Sequence, residues 1–469
     1  MRRATLLSLT LGAMLALAGC STMAPKYSRP EPPVPAAWPT GPAYQQAKSE
    51  GPALADLNWQ EFFVDANRRQ VIAKALEHNR DLRVAALNIE RSRALYQIQR
   101  SELFPSVNAG AGYSAQRIAS TQSGAGRPIV SHGYDLSLGM SAYELDFFGR
   151  IRSLKDQALE QFLATEQARR RVQISLIAEV ASNYLTLAAD RDSLRIARDT
   201  LAAQEASYQL TKSRFEVGVA TALDLKRAQT TVDAARVDIG RYTGLVAQDL
   251  NALQLVVGAP LAAELLPAGL GPVTALKEVS PGLPSDVLQR RPDILAAEHQ
   301  LVGANANIGA ARAAFFPRIT LTTSLGLSSN ELANLFTAGA GVWSFLPRVS
   351  VPIFTGNALQ ANLKVAEVDR EIFLAQYERS IQVAFREVSD ALAQYGTLGE
   401  QLAAQQSLVD ASAESYRLSD ARYQGGVENY LAVLDSQRAL YAAQQNLIGL
   451  RFSRLANMVT LYKVLGGGA

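Results

Sequence analysis

Side chains that commonly carry catalysis are few in this chain and stand far apart. The three histidines, His78, His132 and His299, have no metal-ligand spacing to one another or to the single cysteine. No Gly-rich phosphate loop, Gly-x-Ser-x-Gly elbow or His-Glu-x-x-His stretch occurs. Carboxylates are numerous, but on long helices such charges are mostly solvated. We therefore expect a protein that is not an enzyme and binds neither a metal nor a nucleotide.

Cys20 is the one residue whose surroundings point to a definite reaction. Residues 1–19 have the basic head and short apolar stretch of a signal peptide, too short to span a membrane. Their Leu-Ala-Gly-Cys ending resembles a bacterial lipobox, which implies cleavage before Cys20, a diacylglyceryl thioether on its sulfur and a fatty acyl group on its new amine. The alternative is a stray cysteine in an ordinary signal peptide. Since Ser21 follows, where an Asp would indicate retention in the inner membrane, we expect an outer-membrane lipoprotein.

Charge and hydropathy limit the partners that this chain can have. Its 46 lysines and arginines stand against 43 aspartates and glutamates among 469 residues. Such a small net charge gives no general attraction to nucleic acid. Beyond the leader, no 18 consecutive residues are all apolar, so no membrane-spanning helix is predicted. If the chain crosses a membrane, it does so by β-strands.

The chain contains an internal duplication. RFEVGVATALDLKRAQ at 214–229 returns 208 residues later as RYQGGVENYLAVLDSQ at 422–437, and a Phe-Pro pair recurs at 104–105 and 316–317. The repeats are assigned to residues 67–257 and 285–465. Around them lie an N-terminal segment at 20–66, a linker with five prolines at 258–284 and a tail at 466–469.

Each repeat predicts one very long helix and a shorter helix that returns beside it. Residues 151–217 and 357–424 contain no proline and carry apolar residues at exact sevens, from Val180 to Phe215 and from Val388 to Tyr423. Sixty-seven residues of helix would extend for about 100 Å. Gly218 and Gly426 suit the ends of these helices. Thr221 and Asn429 are plausible caps for the returning helices, and the predicted shorter helices are 68–103, 222–257, 290–314 and 430–465.

Four stretches alternate between apolar and polar residues, as transmembrane β-strands do. They are 107–113 and 134–140 in the first repeat, with a hydrophilic loop at 117–133 that would lie outside the cell, and 318–328 and 343–353 in the second. The alternative is a soluble antiparallel sheet with one solvent-exposed face. Four strands cannot close a barrel, so other subunits must complete it. Two chains would give eight strands and three would give twelve, and a conducting pore favours three or more.

Several stretches together resemble a known family, and they cover nearly the whole mature chain. They are Leu-Ala-Gly-Cys at 17–20, YELDFFGRIR at 143–152, RFEVGVATALDL at 214–225, LPSDVLQRRPDI at 283–294 and RYQGGVENYLAVLDSQ at 422–437. This set resembles the outer-membrane efflux proteins, in particular the lipidated channels of resistance-nodulation-division pumps.

The resemblance implies an α+β membrane protein that works as a homotrimer. Each chain would give four strands to one twelve-stranded transmembrane β-barrel, continued by a long antiparallel α-helical barrel in the periplasm. The implied function is the exit duct of a tripartite efflux pump for drugs or other small toxic molecules. Its implied partners are a periplasmic adaptor protein, an inner-membrane transporter and outer-membrane lipid, and its only attached group is the lipid on Cys20.

The resemblance also implies a gate at the periplasmic tip. Asp420 lies one turn before the second hairpin, where the family often has an acidic residue of the aperture, and the other gate candidates are Tyr416, Arg422, Tyr208 and Lys212. Three copies of Asp420 around an axis would form a narrow negative ring. The alternative is that Asp420 is a solvated surface charge and that Arg422, like Arg214 in the first repeat, only caps a helix end.

The hairpin corners are the implied contacts with the adaptor. They consist of Gly218 and Val219 in the first repeat and of Gly426 and Val427 in the second. Three chains would present six near-equivalent corners.

Other functions remain open at this point. The same channel could serve metal-ion efflux or type I protein secretion, although five methionines and three histidines give little support to a metal conduit. A coiled-coil lipoprotein that tethers the outer membrane without conducting is a further alternative, but a tether would not need the four strands.

Overall fold

The computed structural model describes residues 22–44, 57–124, 126–271 and 290–467. The helices in these residues are α1 (Trp59–Phe62), α2 (Ala66–His78), α3 (Arg80–Ser101), α4 (Arg150–Glu216), α5 (Ala222–Val257), α6 (Pro292–Ala313), α7 (Ala358–Gln424) and α8 (Tyr430–Val464). The strands are β1 (Val107–Ile118), β2 (Ile129–Glu144), β3 (Arg318–Ser329) and β4 (Gly341–Ser350). The two predicted long helices are confirmed as α4 and α7, each of 67 residues.

The returning helices begin at the predicted caps. The Thr221 hydroxyl accepts a hydrogen bond from the backbone N–H of Asp224, and the Asp224 carboxylate accepts one from the N–H of Thr221. Asn429 caps α8 by accepting from the N–H of Ala432. These side chains satisfy N–H groups that have no partner within the helix, so they fix the residue at which each helix starts.

The prediction of one helix over 68–103 is wrong, because the chain breaks into α2 and α3 at Asn79. Asn79 has an extended backbone, with φ −63° and ψ 132°. Its side-chain oxygen accepts from the N–H of Leu82 at 2.8 Å, and its side-chain nitrogen donates to the carbonyl of Val256 at 2.7 Å. The amide therefore caps the start of α3 and also satisfies a carbonyl at the end of α5, which stabilises the break.

The four strands form one antiparallel sheet in the order β1-β2-β3-β4. The register pairs Ala109 with Leu138, Leu138 with Leu325 and Leu325 with Trp343, so apolar side chains of all four strands share one face. The serines of the opposite face are also paired across strands, as Ser324 with Ser344. The alternation predicted from the sequence is therefore confirmed.

Two strand boundaries differ from the prediction. The hydrophilic loop predicted at 117–133 is wrong in its bounds, because β1 runs to Ile118 and pairs there with Ile129 of β2. His132 consequently lies in β2, with its Nδ1 3.0 Å from the Tyr113 hydroxyl. Backbone pairing extended the hairpin through polar residues. At the other boundary β4 stops at Ser350 rather than 353, since its partner β3 begins at Arg318 and offers nothing to pair beyond it.

The structure divides into two compact units. The first, called the strand unit, takes its described residues from 1–31, 88–166 and 296–377, and the second, the helix unit, takes them from 32–87, 167–295 and 378–469. Each predicted repeat contributes segments to both units. The long helices α4 and α7 pass from one unit into the other.

The helix unit has its main core around the middle of α4. Val180, Leu187 and Val388 of the predicted heptad stripe are fully buried there, together with Tyr184 and Tyr462. By length and mean hydropathy, α4 contains an 18-residue window that could cross a membrane, with a mean hydropathy of 1.2, but 61% of this window is buried within the protein. The apolar character of α4 is therefore accounted for by its core position.

Gly396, one of the two glycines of α7, marks a crossing of two chain segments in the helix unit. A Cβ atom at this position would overlap the carbonyl oxygen of Ala43, so only glycine allows the N-terminal segment to pass so close. Nearby on the same helix, Phe385 stacks on Trp38 with ring centroids 5.1 Å apart. The N-terminal segment is thus packed along α7 in this region.

The Arg-Arg-Pro-Asp stretch at 290–293 contributes an ion-pair network around a buried arginine, Arg291. Arg291 donates to both carboxylate oxygens of Asp293 at 3.0 and 2.7 Å, to Glu387 at 2.9 Å and to the carbonyl of Val464 at the end of α8. Burial alone would raise the pKa of Asp293, but the Arg291 guanidinium holds that pKa below its usual range. The motif therefore connects the start of α6 to α7 and to the end of α8.

We expect Arg291→Ala to lower the free energy of unfolding by about 1–3 kcal/mol, because it leaves the half-buried carboxylates of Asp293 and Glu387 without their charged partner. Denaturant unfolding followed by circular dichroism measures this loss. Arg417→Ala is the matched control, since Arg417 forms an exposed pair with Glu414, and it should cause no measurable loss. Equal effects of the two substitutions would contradict the assigned role of Arg291.

Candidate functional site: the two hairpin ends

The corner between α4 and α5 and the corner between α7 and α8 have the same backbone hydrogen bonds. Gly218 donates to the carbonyl of Phe215 and Val219 to that of Arg214, and Gly426 and Val427 make the two equivalent bonds 208 residues later. Both glycines have positive φ, at 80° and 74°. This is the Schellman ending, which requires a left-handed residue and so favours glycine. The repeated sequence at 214–229 and 422–437 therefore encodes the same backbone corner twice.

The side chains of the two corners differ although their backbones match. Val219 and Val427 occupy equivalent positions and are about equally exposed, at 76% and 71%. The first corner has Val217, also 74% exposed, where the second has Gly425. The first corner thus exposes more apolar surface.

An aromatic cluster packs beside the second corner. Tyr423 and Tyr430 lie with ring centroids 5.3 Å apart and are buried together with Val433 and Leu434. Tyr208 of α4 and Tyr416 of α7, both gate candidates, are half-buried against this cluster. Burial, followed by the nearby Asp420 carboxylate, raises the pKa of Tyr416.

Arg214 connects the two corners. Its guanidinium lies 4.6 Å above the Tyr423 ring and donates to the carbonyl of Gln424, the last residue of α7, at 3.3 Å. A cation is favourable at this carbonyl-rich helix end, and the ring face adds a cation–π attraction. The equivalent Arg422 instead pairs with Glu428 within its own corner at 2.6 Å. One arginine therefore links the corners, whereas its counterpart does not.

The remaining gate candidates are not all brought together. Asp420 is half-buried and accepts a hydrogen bond from Gln424 at 2.7 Å. Tyr416 lies one turn before Asp420 on the same helix, and Lys212 is exposed on α4. The structure therefore groups Asp420 with Tyr416 but places Arg422 toward Glu428. The gate role of these residues stays a prediction.

Sequence reasoning did not find the role of Arg214 as a link, although it noted the residue. Arg214 and Arg422 occupy the same position of the repeated motif, so the sequence predicts the same helix-capping role for both. Only the packing of α4 against the end of α7 separates the two. The aromatic partner, Tyr423, was assigned to a heptad stripe and carried no signal of a cation–π contact.

The YELDFFGRIR stretch folds as a corner between a strand and a helix in the strand unit. Glu144, the last residue of β2, accepts two hydrogen bonds from Arg150 and pairs with Arg318 at 2.5 Å. Asp146 likewise accepts from the side chain and the backbone N–H of Arg152, the latter at 2.9 Å. The charges of this motif thus hold the entry to α4, and Gly149 supplies the positive φ of the turn.

The predicted lipidation site, Cys20, lies outside the described residues. The segment that follows it is bound along α6 in the strand unit. Arg29 donates to both oxygens of Glu298, Asn305 donates to the carbonyl of Pro25, and Gly309 leaves room for the backbone of Ala24. The segment 22–29 therefore runs antiparallel to α6.

A family model settles what kind of protein this is. The model described as outer membrane efflux protein matches residues 71–259 and again residues 283–467. The chain belongs to this family. The resemblance stated from the sequence motifs is therefore confirmed, and the protein is an outer-membrane efflux protein.

Curated relatives of this outer-membrane efflux protein match along almost the whole chain. The toluene efflux pump outer membrane protein TtgC and the antibiotic efflux pump outer membrane protein ArpC, both of Pseudomonas putida, are each 49% identical over 464 residues. In each case the match covers 99% of this chain and 96% of the relative.

Solved structures share the fold. A membrane protein from Pseudomonas aeruginosa superimposes with a TM-score of 0.90 at 42% identity, over 96% of this chain and 98% of that one. The open state of the Neisseria gonorrhoeae MtrE outer membrane channel gives 0.87 at 37% identity, over the same shares of the two chains. The expected α+β fold of long helices with a four-stranded sheet is thus confirmed, and the family is one of channel proteins.

We expect Arg214→Ala to loosen the second corner, because it removes a cation–π contact and a hydrogen bond worth about 1–2 kcal/mol together. Amide hydrogen exchange in residues 421–427 should rise about 5–30-fold, measured by mass spectrometry at a fixed pH.

Arg422→Ala is the control, since Arg422 bonds within its own corner and should leave exchange in residues 214–220 unchanged. If both variants changed only their own corner, Arg214 would not be a link.

Proposed function

We propose that the chain is one third of the exit duct of a tripartite efflux pump, with the sheet of each chain completed by two further copies. The observation that carries this proposal is a four-stranded sheet whose outer strands, β1 and β4, each have one unpaired edge. An open edge is not tolerated in lipid, because its N–H and C=O groups would be unsatisfied. In an antiparallel meander of four strands, β4 of one copy runs antiparallel to β1 of the next.

The number of copies follows from the space inside the barrel. Eight strands from two chains would be filled by their own side chains, whereas twelve strands leave a lumen. A conduit for drug-sized molecules therefore favours three copies. The apolar face of the sheet, with Leu138, Leu325 and Trp343 exposed, supports a lipid-facing exterior.

The helices also carry apolar surface that further copies would cover. The heptad stripe is buried at Val180, Val388 and Tyr423, whereas Phe215 at the first corner is 41% exposed. Leu408 and Leu418 of α7 are exposed as well. Such a stripe suits contact between the helices of neighbouring subunits in a trimer.

The hairpin corners are proposed as the contact with a periplasmic adaptor protein, which would connect the duct to an inner-membrane transporter. Exposed Val217, Val219 and Val427 support a contact that buries apolar surface at the corners. In this arrangement Asp420 and the tyrosines beside it form the gate, and Cys20 carries the lipid that anchors each chain.

The proposed cargo is small organic molecules, including aromatic solvents and antibiotics. It rests on the names of two relatives, a toluene efflux pump protein and an antibiotic efflux pump protein, each 49% identical to this chain. Energy for export would come from the transporter, and the duct itself would be a passive conduit.

The assembly and the gate are tested together by the mass and the planar-bilayer conductance of the purified protein. We expect a trimer with small, discrete conductance, and a larger single-channel conductance for Asp420→Ala, because the variant removes three carboxylates from the aperture. Asp410→Ala is the matched control, since Asp410 also bonds a glutamine four residues away on α7. A monomer without conductance would overturn the proposed duct, and unchanged conductance in Asp420→Ala would remove Asp420 from the gate.

The adaptor contact is tested by Val219→Asp and Val427→Asp, which place a charge at equivalent, exposed positions of the two corners. Both should weaken cross-linking to the adaptor and reduce efflux in cells, because a buried charge at an interface is costly. Val365→Asp, at an exposed valine elsewhere on α7, is the control. Undiminished cross-linking in both corner variants would contradict the contact.

A further inference from the structure

The hairpin of β1 and β2 extends beyond the neighbouring strand β3. Pairing of β2 with β3 ends at Tyr134, whereas pairing of β1 with β2 continues to Ile118 and Ile129. Residues 114–118 and 129–133 therefore form a two-stranded extension of the sheet. This extension is here called the outer strand pair.

The outer strand pair is cationic on the face that is apolar in the rest of the sheet. Since alternate residues of a strand share a face, the side chains of this face on β2 are in turn Leu138, Leu136, Tyr134 and His132. Arg117 of β1 lies on the same face, opposite Val130 and diagonal to His132. Diagonal neighbours are about 7–8 Å apart, within reach of long side chains. Arg117 and His132 are both exposed, so one acceptor can contact both.

The cations of this hairpin have no carboxylate close to them in the sequence. Residues 107–134 contain two arginines and a histidine, namely Arg117, Arg127 and His132, but neither aspartate nor glutamate. Arg117 forms no ion pair among the described residues, whereas Arg150 and Arg318 of the same unit both pair with Glu144. The exposed cations thus favour an anionic partner from outside the hairpin.

The hydroxyl of Tyr113 prepares His132 to donate a hydrogen bond. It lies 3.0 Å from Nδ1 of His132, and the two rings are stacked with their centroids 6.1 Å apart. When the hydroxyl donates to Nδ1, a neutral imidazole has its proton on Nε2. The Nε2–H group is then available to an acceptor beside Arg117.

We propose that Arg117 and His132 bind a phosphate group of the glycolipid in the outer leaflet of the outer membrane. The inference rests on the proposed transmembrane barrel and names the lipid chemistry that its outer end meets. A guanidinium has paired N–H groups that match the oxygens of a phosphate, and Nε2–H of His132 supplies a further donor. A glycolipid without phosphate would offer these groups only neutral hydroxyls.

The height of Arg117 on the sheet agrees with the level of lipid headgroups. Val107 begins the apolar face of β1, and Arg117 follows ten residues later in the same strand. Ten residues of strand cover about 34 Å. A strand tilt of about 40° reduces this to a height of about 26 Å, close to the apolar band of about 25 Å on an outer-membrane barrel. Arg117 therefore lies at the far boundary of that band.

Aromatic rings lie directly below the two cations. The rings of Tyr113 and Tyr134 have their centroids 4.9 Å apart, on the same face as Arg117 and two to four residues nearer the middle of the sheet. Tyrosines are favoured where acyl chains meet headgroups, because an apolar ring and a polar hydroxyl are then both satisfied. The order of apolar, aromatic and cationic side chains along this face thus follows the order of layers in a leaflet.

The binding of added lipid A to the full-length protein, purified in detergent, tests the inference by native mass spectrometry. The variants are Arg117→Ala and His132→Ala, and the comparison lipid is the same lipid A with its phosphates removed. Arg348→Ala is the matched control, since Arg348 is also an exposed arginine of the sheet but lies on the polar face, opposite Thr320. Planar-bilayer conductance of the same preparations reports separately on the barrel.

We expect Arg117→Ala to weaken the binding of lipid A about 5–10-fold and His132→Ala about 2–5-fold, because each removes a hydrogen bond to a charged group. The parent and Arg348→Ala should bind with equal affinity and should prefer the phosphorylated lipid.

Equal affinity of the parent and Arg117→Ala in conducting preparations would overturn the inference and leave the barrel intact. Equal affinity of the parent for the two lipids would do the same, since contact would then be apolar only. Competition by millimolar inorganic phosphate would also overturn it, because the site would then bind a free anion. Preparations without conductance would overturn the barrel, and the inference with it.

Discussion

Backbone hydrogen bonding at the two edges of the sheet is the constraint on which the rest of this protein depends. Lipid offers no partner for the outer N–H and C=O groups of β1 and β4. A single chain therefore cannot place its sheet in a membrane, whatever the quality of its own packing. The proposed oligomer answers this requirement, and it would also cover apolar helix surface such as Phe215 that one chain leaves exposed.

Duplication gave the molecule two copies of one corner, and the copies have since diverged in their side chains. The backbone hydrogen bonds around Gly218 and Gly426 are the same because both helices end in a Schellman motif with a left-handed glycine. Side chains are under no such restriction. Arg214 contacts the other corner, whereas Arg422 pairs with Glu428 within its own corner, so the two corners differ in their side-chain contacts.

Much of the fold could be predicted because its signals are local and repeated. Apolar heptad repeats without proline predicted α4 and α7, and the alternation of apolar and polar residues predicted the four strands. The errors have a common cause. Asn79 breaks a helix because its amide bonds Val256, which is 177 residues away, and His132 joins a strand because β1 lies opposite. In each case a partner outside the segment contributes, and the pattern of the segment alone does not contain that partner.

The sequence by itself determined the two long helices, the alternation of the four strands, the glycine corners and the family, since each depends on propensity, periodicity or a contiguous motif. Only the tertiary structure decided which charges are paired and which glycines are needed for close approach. Arg291 is buried against Glu387, and Gly396 admits Ala43, because segments far apart in the chain meet there. Such contacts depend on three-dimensional packing, which a linear pattern of residue types does not specify.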